Sequence, residues 1–373
     1  MNDSNDRLLR KVAQVLSALL AIVSVSLAVP SWTNAQSTYD HRRLLYVLDE
    51  QGHERPIETT KQWAVRRAAI LAGMQAAMGP LPNRQGLERP TARILRHEAL
   101  DGCERLTIEL TVAPGQVVPA HLYLPTGDVG KKRPAMLALH QTIPIGKRDV
   151  GEEGKPNRAY GLELAQRGYV VLAPDYPSFG DYPYDFAADD FVSGTMKGIF
   201  NHLRCVDYLT GRDDVDAERI GVIGHSLGGH NALFAAAFDP RLKAIVSSCG
   251  WTPFHDYYGG KLAGWTSDRY MPKIREEYGN DPDRVPFDFY EVVAALAPRP
   301  FFSSSPLRDE NFDAAGVRKA AAEARKVYAL FGAADQLVID QPDCEHDFPP
   351  AQREAAYRVL DATLKPAPPA AKP

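Results

Sequence analysis

The sequence predicts an α/β fold: a mostly parallel central sheet with helices on both faces, an N-terminal helical extension and an aromatic-rich inserted segment. Three observations predict it. Short apolar runs alternate with helical segments through most of the 373-residue chain, the pattern of a sheet buried on both sides. One of those runs passes through a Gly-x-Ser-x-Gly pentapeptide directly into an Ala-rich helix. No repeat of solenoid or propeller period is present, so the chain must be one or two compact units.

The elements follow in order. Residues 1–35 read as an export signal: Arg7, Arg10 and Lys11 precede the uncharged run 12–29, Pro30 breaks it, and Thr33-Asn34-Ala35 places cleavage after Ala35. The alternative is an uncleaved anchor, since the run just reaches the minimum for a membrane span. Both readings put the body outside the cytoplasm, and cleavage leaves a periplasmic or secreted chain free of the membrane. Residues 36–90 form an N-terminal extension, in which Trp63, Ile70, Leu71, Met74 and Met78 recur at helical spacing before Gly79-Pro80 ends the helix. The catalytic domain is expected over 91–365. Runs 105–112 and 117–124 have period-two character around the Pro114-Gly115 turn and read as an antiparallel pair. Strands then fall at 135–139, 169–173, 220–223, 244–247, 301–304 and 337–339, with helices near 158–167, 191–210, 227–238, 314–331 and 350–364. Residues 251–297 are a cap-like insertion, and the Pro/Ala-rich 366–373 a disordered tail.

Composition excludes several classes. With 45% hydrophobic and 24% charged residues the chain can bury a large core, and a net charge of −4 leaves no basic surplus for nucleic acid. Removing 1–35 takes away a net +1 and leaves −5. Four cysteines, Cys103, Cys205, Cys249 and Cys344, are too few for a disulfide scaffold; export would permit a bridge, but Cys205 and Cys249 read as small buried hydrophobes. No cofactor motif appears. A metal site is not expected either, because Cys344, Glu345 and His346 are consecutive and cannot all face one ion.

The pentapeptide Gly224-His-Ser-Leu-Gly228 is weak evidence alone and stronger between a strand and a helix. A sharp strand-to-helix turn strains its central residue and exposes the Ser226 hydroxyl, while small residues at 224 and 228 let strand and helix approach. The same turn sets the Leu227 backbone N–H at a helix N-terminus, where it can stabilise an oxyanion. A serine needs a base to take its proton, and an acid to orient the base. Of ten histidines, His346 follows the last strand, where a loop can return over the turn; the others fall in the extension, the strand pair, helices or flanking positions. The acid should follow the preceding strand. Asp309 is preferred there over Glu310 and over Asp313, which reads as the N-cap of the next helix.

With these residues in place, the chain resembles α/β-hydrolases of the dienelactone-hydrolase-like and acetyl-xylan-esterase-like group over roughly 90–365. The matching motifs are Ala138-Leu-His-Gln141, Arg167-Gly-Tyr-Val-Val-Leu-Ala-Pro-Asp-Tyr176, Arg219-Ile-Gly-Val-Ile-Gly-His-Ser-Leu-Gly-Gly229, Pro298-Arg-Pro300 with Asp309 eleven residues after Pro298, and His346-Asp-Phe348. The resemblance implies a second oxyanion donor just after His140, the N–H of Gln141 or Thr142. Dienelactone hydrolases proper have cysteine where Ser226 stands, which argues against dienelactone as substrate, and the usual His-Gly is here His140-Gln141.

Ten aromatic residues fall within residues 251–290, against 9% aromatics overall. Either they pack the insertion onto the sheet or they line a site for a small or carbohydrate-linked ester, with Trp251, His255, Tyr257 and Trp265 as candidate contacts. The loops 142–157 and 176–189 should also border the site. Together these readings predict a secreted serine carboxylesterase. The rivals are a prolyl-oligopeptidase-type peptidase, an acyltransferase on the same fold, and a non-catalytic binding scaffold; Asp256 beside His255 is a minor alternative pair.

Overall fold

In the computed structural model the described residues are 39–127 and 131–365; the expected export segment and C-terminal tail lie outside them. A two-stranded antiparallel ribbon, β1 (Tyr46–Leu48) and β2 (Glu54–Pro56), comes first. Its strands have three residues each and no apolar alternation, so the sequence carried no sign of them. Helix α1 (Thr60–Met78) follows and starts at a capping box, in which the Thr59 hydroxyl accepts from the Gln62 N–H and the Gln62 side chain returns to the Thr59 N–H.

The central sheet is built from β3 (Thr91–Leu100), β4 (Cys103–Ala113), β5 (Gln116–Pro125), β6 (Arg133–Leu139), β7 (Val170–Pro174), β8 (Val215–His225), β9 (Leu242–Ser248), β10 (Phe301–Ser304) and β11 (Leu337–Asp340). Its order is β11-β10-β9-β8-β6-β7-β5-β4-β3. The six strands from β11 to β7 pair parallel, and β5, β4 and β3 continue antiparallel. This is the α/β class the sequence predicted. Alternate residues of one strand enter opposite cores: Ala135, Leu137 and Leu139 of β6 join the larger cluster, Met136 and Ala138 the smaller. Helix α2 (Tyr160–Gln166) and the C-terminal helix Pro350–Leu364 cover the smaller-cluster face. Helices Gly194–Thr210, Leu227–Phe238 and Ala314–Leu330 cover the other, joined by α1.

Parallel pairing brings the C-terminal ends of β6, β8, β10 and β11 to one edge of the sheet, the edge where open α/β proteins hold their ligands. Residues 140–142, 226, 309 and 346 all follow those ends. The four cysteines are unbridged, and among the described residues no helix is long and apolar enough to cross a membrane.

Candidate active site

Ser226 occupies the turn between β8 and the helix Leu227–Phe238 with φ 55° and ψ −116°, a conformation that costs a non-glycine residue about 1–3 kcal/mol. The surroundings hold it there. Its N–H donates to the Ser248 carbonyl at 2.8 Å, and its own carbonyl accepts from Gly229 at 2.8 Å and His230 at 3.2 Å. A Cβ on Gly224 would lie 2.2 Å from the Gly228 carbonyl oxygen, so strand and helix meet through bare backbone.

His346 Nδ1 lies 3.0 and 2.9 Å from the two carboxylate oxygens of Asp309. Asp309 is 8% exposed, and its Oδ1 also accepts from the backbone N–H groups of Asn311 and Phe312 at 2.9 and 3.2 Å. An acceptor so placed fixes the proton on Nδ1 and leaves Nε2 as the basic nitrogen. Arg158 secures the loop from behind, donating to the Asp347 carboxylate at 2.6 Å and to the His346 carbonyl at 3.2 Å. Asp313 caps the helix Ala314–Leu330, accepting from Gly316 N–H at 2.6 Å.

Ser226 and His346 share a cavity of about 310 Å³ with Gln141, Thr142, Leu227, His230, Tyr257, Gly264, Trp265, Tyr270, Asn311 and Phe312. The N–H groups of Leu227, Gln141 and Thr142 have no hydrogen-bond partner among the described residues. His140 orients the second of these segments. Its Nε2 accepts from Tyr176 N–H at 2.9 Å, so Nδ1 carries the proton and donates to the Gln141 carbonyl at 2.6 Å. Burial lowers the His140 pKa and keeps that tautomer neutral. The Gln141 side chain donates to the buried Asp149 at 3.0 Å.

The insertion divides its aromatics between packing and the cavity. Tyr257, Trp265 and Tyr270 line the cavity, whereas Phe254, Phe287 and Phe289 pack on one another with centroids 5.4 to 5.5 Å apart for the pairs with Phe254. Two expected contacts lie elsewhere. Trp251 is buried in the core with its Nε1 donating to Ser303 Oγ at 2.9 Å, and His255 is on the exterior, 2.8 Å from Asp283. Their positions after β9 suggested the cavity, but the direction of each side chain carried no sequence signal. Asp256 pairs with Lys319 and not with His255.

Sequence reasoning missed His230, Asn311 and Phe312. His230 follows Ser226 by four residues, one helical turn, which places it on the same face. Asn311 and Phe312 follow Asp309 closely and could have been found from the short turn that satisfies its carboxylate. Cys249 lies beneath the pair, with donor atoms of Cys249, Asp309 and His346 within 4.8 Å of one another. Burial pushes its thiol pKa well above 9, so it packs there as a neutral thiol.

Comparison with known proteins bears on the family and the fold. Residues 158–370 match the family described as Alpha/beta hydrolase family. The chain is 29% identical over 304 residues to the YtaP protein of Bacillus subtilis, covering 77% of this chain and 96% of that one. It is 27% identical over 195 residues to carbohydrate esterase MZ0003 from an unknown prokaryotic organism, 47% of this chain and 43% of the other. Among solved structures, a glucuronoyl esterase from Solibacter usitatus superposes with a TM-score of 0.70 at 22% identity, covering 87% of this chain and 98% of that one. A CE15 glucuronoyl esterase from Teredinibacter turnerae T7901 gives 0.65 at 20%, covering 85% and 88%. At those identities the structural likeness shows a shared fold. With the family match covering more than half of the chain and the sheet order read directly from the structure, the chain belongs to the alpha/beta hydrolase family.

Proposed function

We propose that the protein is an exported serine carboxylesterase acting on a small or carbohydrate-linked ester. One observation carries the reading: Asp309 holds the His346 ring through Nδ1 at 2.9 Å, on the cavity that Ser226 enters from a strained turn. Ser226 Oγ attacks the ester carbon while His346 Nε2 takes its proton. The tetrahedral oxyanion is met by Leu227 N–H and by Gln141 or Thr142 N–H. His346 then returns the proton to the departing alkoxide, leaving an acyl-serine. Water, deprotonated by His346, attacks the acyl carbon; Ser226 regains its proton and the carboxylic acid leaves. Carbohydrate and glucuronoyl esterases among the relatives support an ester substrate, and the basic-then-apolar residues 7–29 support export.

The test is labelling with a fluorophosphonate, followed by turnover of p-nitrophenyl acetate and acetylated xylan against peptide p-nitroanilides. Ser226→Ala should abolish labelling and lower kcat on esters at least about a thousandfold. Wild-type turnover by that variant would overturn the mechanism, and faster anilide than ester cleavage would replace esterase with peptidase.

A further inference from the structure

Two residues that line the cavity, His230 and Trp265, carry three buried ring nitrogens without partners among the described residues. His230 is 5% exposed and neither Nδ1 nor Nε2 is hydrogen-bonded among the described residues; Trp265 is 3% exposed and its Nε1 is equally unpartnered. The two rings pack 4.8 Å apart, and both residues line the cavity beside Ser226. Other orphaned atoms, Trp63 Nε1 and Ser247 Oγ among them, are spread through the core. His202 and Asn231 also carry orphaned atoms, but they flank a void of about 10 Å³, room for a single water. Buried polar groups in native proteins are nearly always satisfied. Orphans gathered at a ligand-sized cavity therefore point to what the cavity receives.

Their chemistry narrows that ligand. Burial pushes the His230 pKa down to about 3, although the Gly250 carbonyl, near the ring but outside hydrogen-bond geometry, acts to raise it; the ring is neutral, with one nitrogen able to donate and the other to accept. Trp265 Nε1 only donates. Two donors and one acceptor match hydroxyl groups, each of which can do both. Among the described residues the cavity lining includes no Lys, Arg, Asp or Glu. Arg269, next to the lining residue Tyr270, is held by Ser178 Oγ at 2.8 Å and stacks 4.5 Å from the Phe179 ring centre. A substrate carboxylate would meet no partner of opposite charge on the lining. Tyr257, Trp265, Tyr270 and Phe312 supply aromatic surface for the apolar face of a sugar ring.

We propose that this cavity selects an ester whose sugar ring is hydroxylated and uncharged, with His230 and Trp265 Nε1 as the specificity-determining contacts to its hydroxyls. This rests on the esterase reading above. The experiment compares kcat/KM for mono-O-acetylated methyl glucopyranosides and the methyl ester of a glucuronoside with two references: cyclohexylmethyl acetate, which lacks hydroxyls, and acetylated glucuronate with its carboxylate free. Wild type should favour the best neutral sugar ester over each reference by roughly tenfold or more. His230→Phe and, independently, Trp265→Phe should each cut the preference over cyclohexylmethyl acetate at least about fivefold, because each keeps an aromatic ring and removes the nitrogen. No preference in the wild type, or an equal loss on all substrates in both variants, would overturn the proposal. Fluorophosphonate labelling of Ser226 in each variant separates the two levels. Labelling without preference overturns only the sugar selectivity, while absence of labelling in the wild type overturns the esterase reading and this proposal together.

Discussion

A Cβ on Gly228 would stand 2.0 Å from the carbonyl oxygen of Leu139. The first turn of the helix after Ser226 therefore touches the end of β6, the strand that leads into His140, Gln141 and Thr142. The two candidate oxyanion donors, Leu227 N–H and the N–H groups after His140, are brought together by this contact between two backbones. No side chain can be inserted without moving one from the other.

Gly228→Ala should consequently lose both stability and activity. Overpacking against a carbonyl costs about 1–3 kcal/mol, and separation of the donors should lower kcat by roughly a hundredfold, within the range for loss of one oxyanion donor. Thermal unfolding and ester turnover check both. A variant with wild-type kcat would show that the donors do not depend on this approach.

Asp309→Asn should leave the loop in place but offer Nδ1 a group that can donate as well as accept. The imidazole can then hold its proton on the nitrogen that faces the cavity, so kcat should fall about 10³–10⁴-fold, with a smaller change in KM. Steady-state kinetics on p-nitrophenyl acetate decide it. A loss below tenfold would leave His346 without need of this acid.

The chain order of the candidate residues was legible because it depends on spacing along the chain: a strand, then Ser226; a strand, then Asp309; a last strand, then His346. Parallel pairing converts that order into one edge of the sheet. Side-chain direction was not legible. Trp251 and Trp265 sit in the same aromatic-rich segment, yet one donates into the core to Ser303 and the other borders the cavity. The ribbon β1–β2 was invisible for a different reason. Its second strand, Glu54–Pro56, is exposed throughout, so no buried apolar residue marks it.

His140→Ala should release the Gln141 carbonyl from Nδ1 and the Tyr176 N–H from Nε2. The peptide after Gln141 carries the Thr142 N–H, so its orientation loosens. We expect kcat to fall about 10–100-fold, as for partial loss of an oxyanion donor, with fluorophosphonate labelling slowed but still at Ser226. Unchanged kcat would mean that the Leu227 N–H acts without help from this segment.

Acid should unfold the protein through its buried histidines. Burial is the leading cause in all five: His121, His202 and His230 are pushed down to about 3, His140 is lowered, and His225 is driven well below 6.5. In the unfolded chain each titrates near 6.5, so below that value the unfolded state binds more protons. Their contribution is complete above pH 6.5 and is lost as pH falls toward the folded values. Asp288 acts in the opposite sense, since burial raises its carboxyl to about 7 and the folded state keeps a proton that the unfolded chain gives up until pH falls near 4. The three histidines held near 3, less one carboxyl, leave a net uptake of about two protons on unfolding near pH 5.5, and His140 and His225 act in the same direction as those three. At ~1.4 kcal/mol per proton per pH unit, those two protons should lower stability by about 3 kcal/mol for each unit of acidification there. Urea midpoints measured at pH 7.5, 6.5 and 5.5 should drop steeply over the last interval. A midpoint that held steady to pH 5 would show that these rings are already charged, or reach water, in the folded protein.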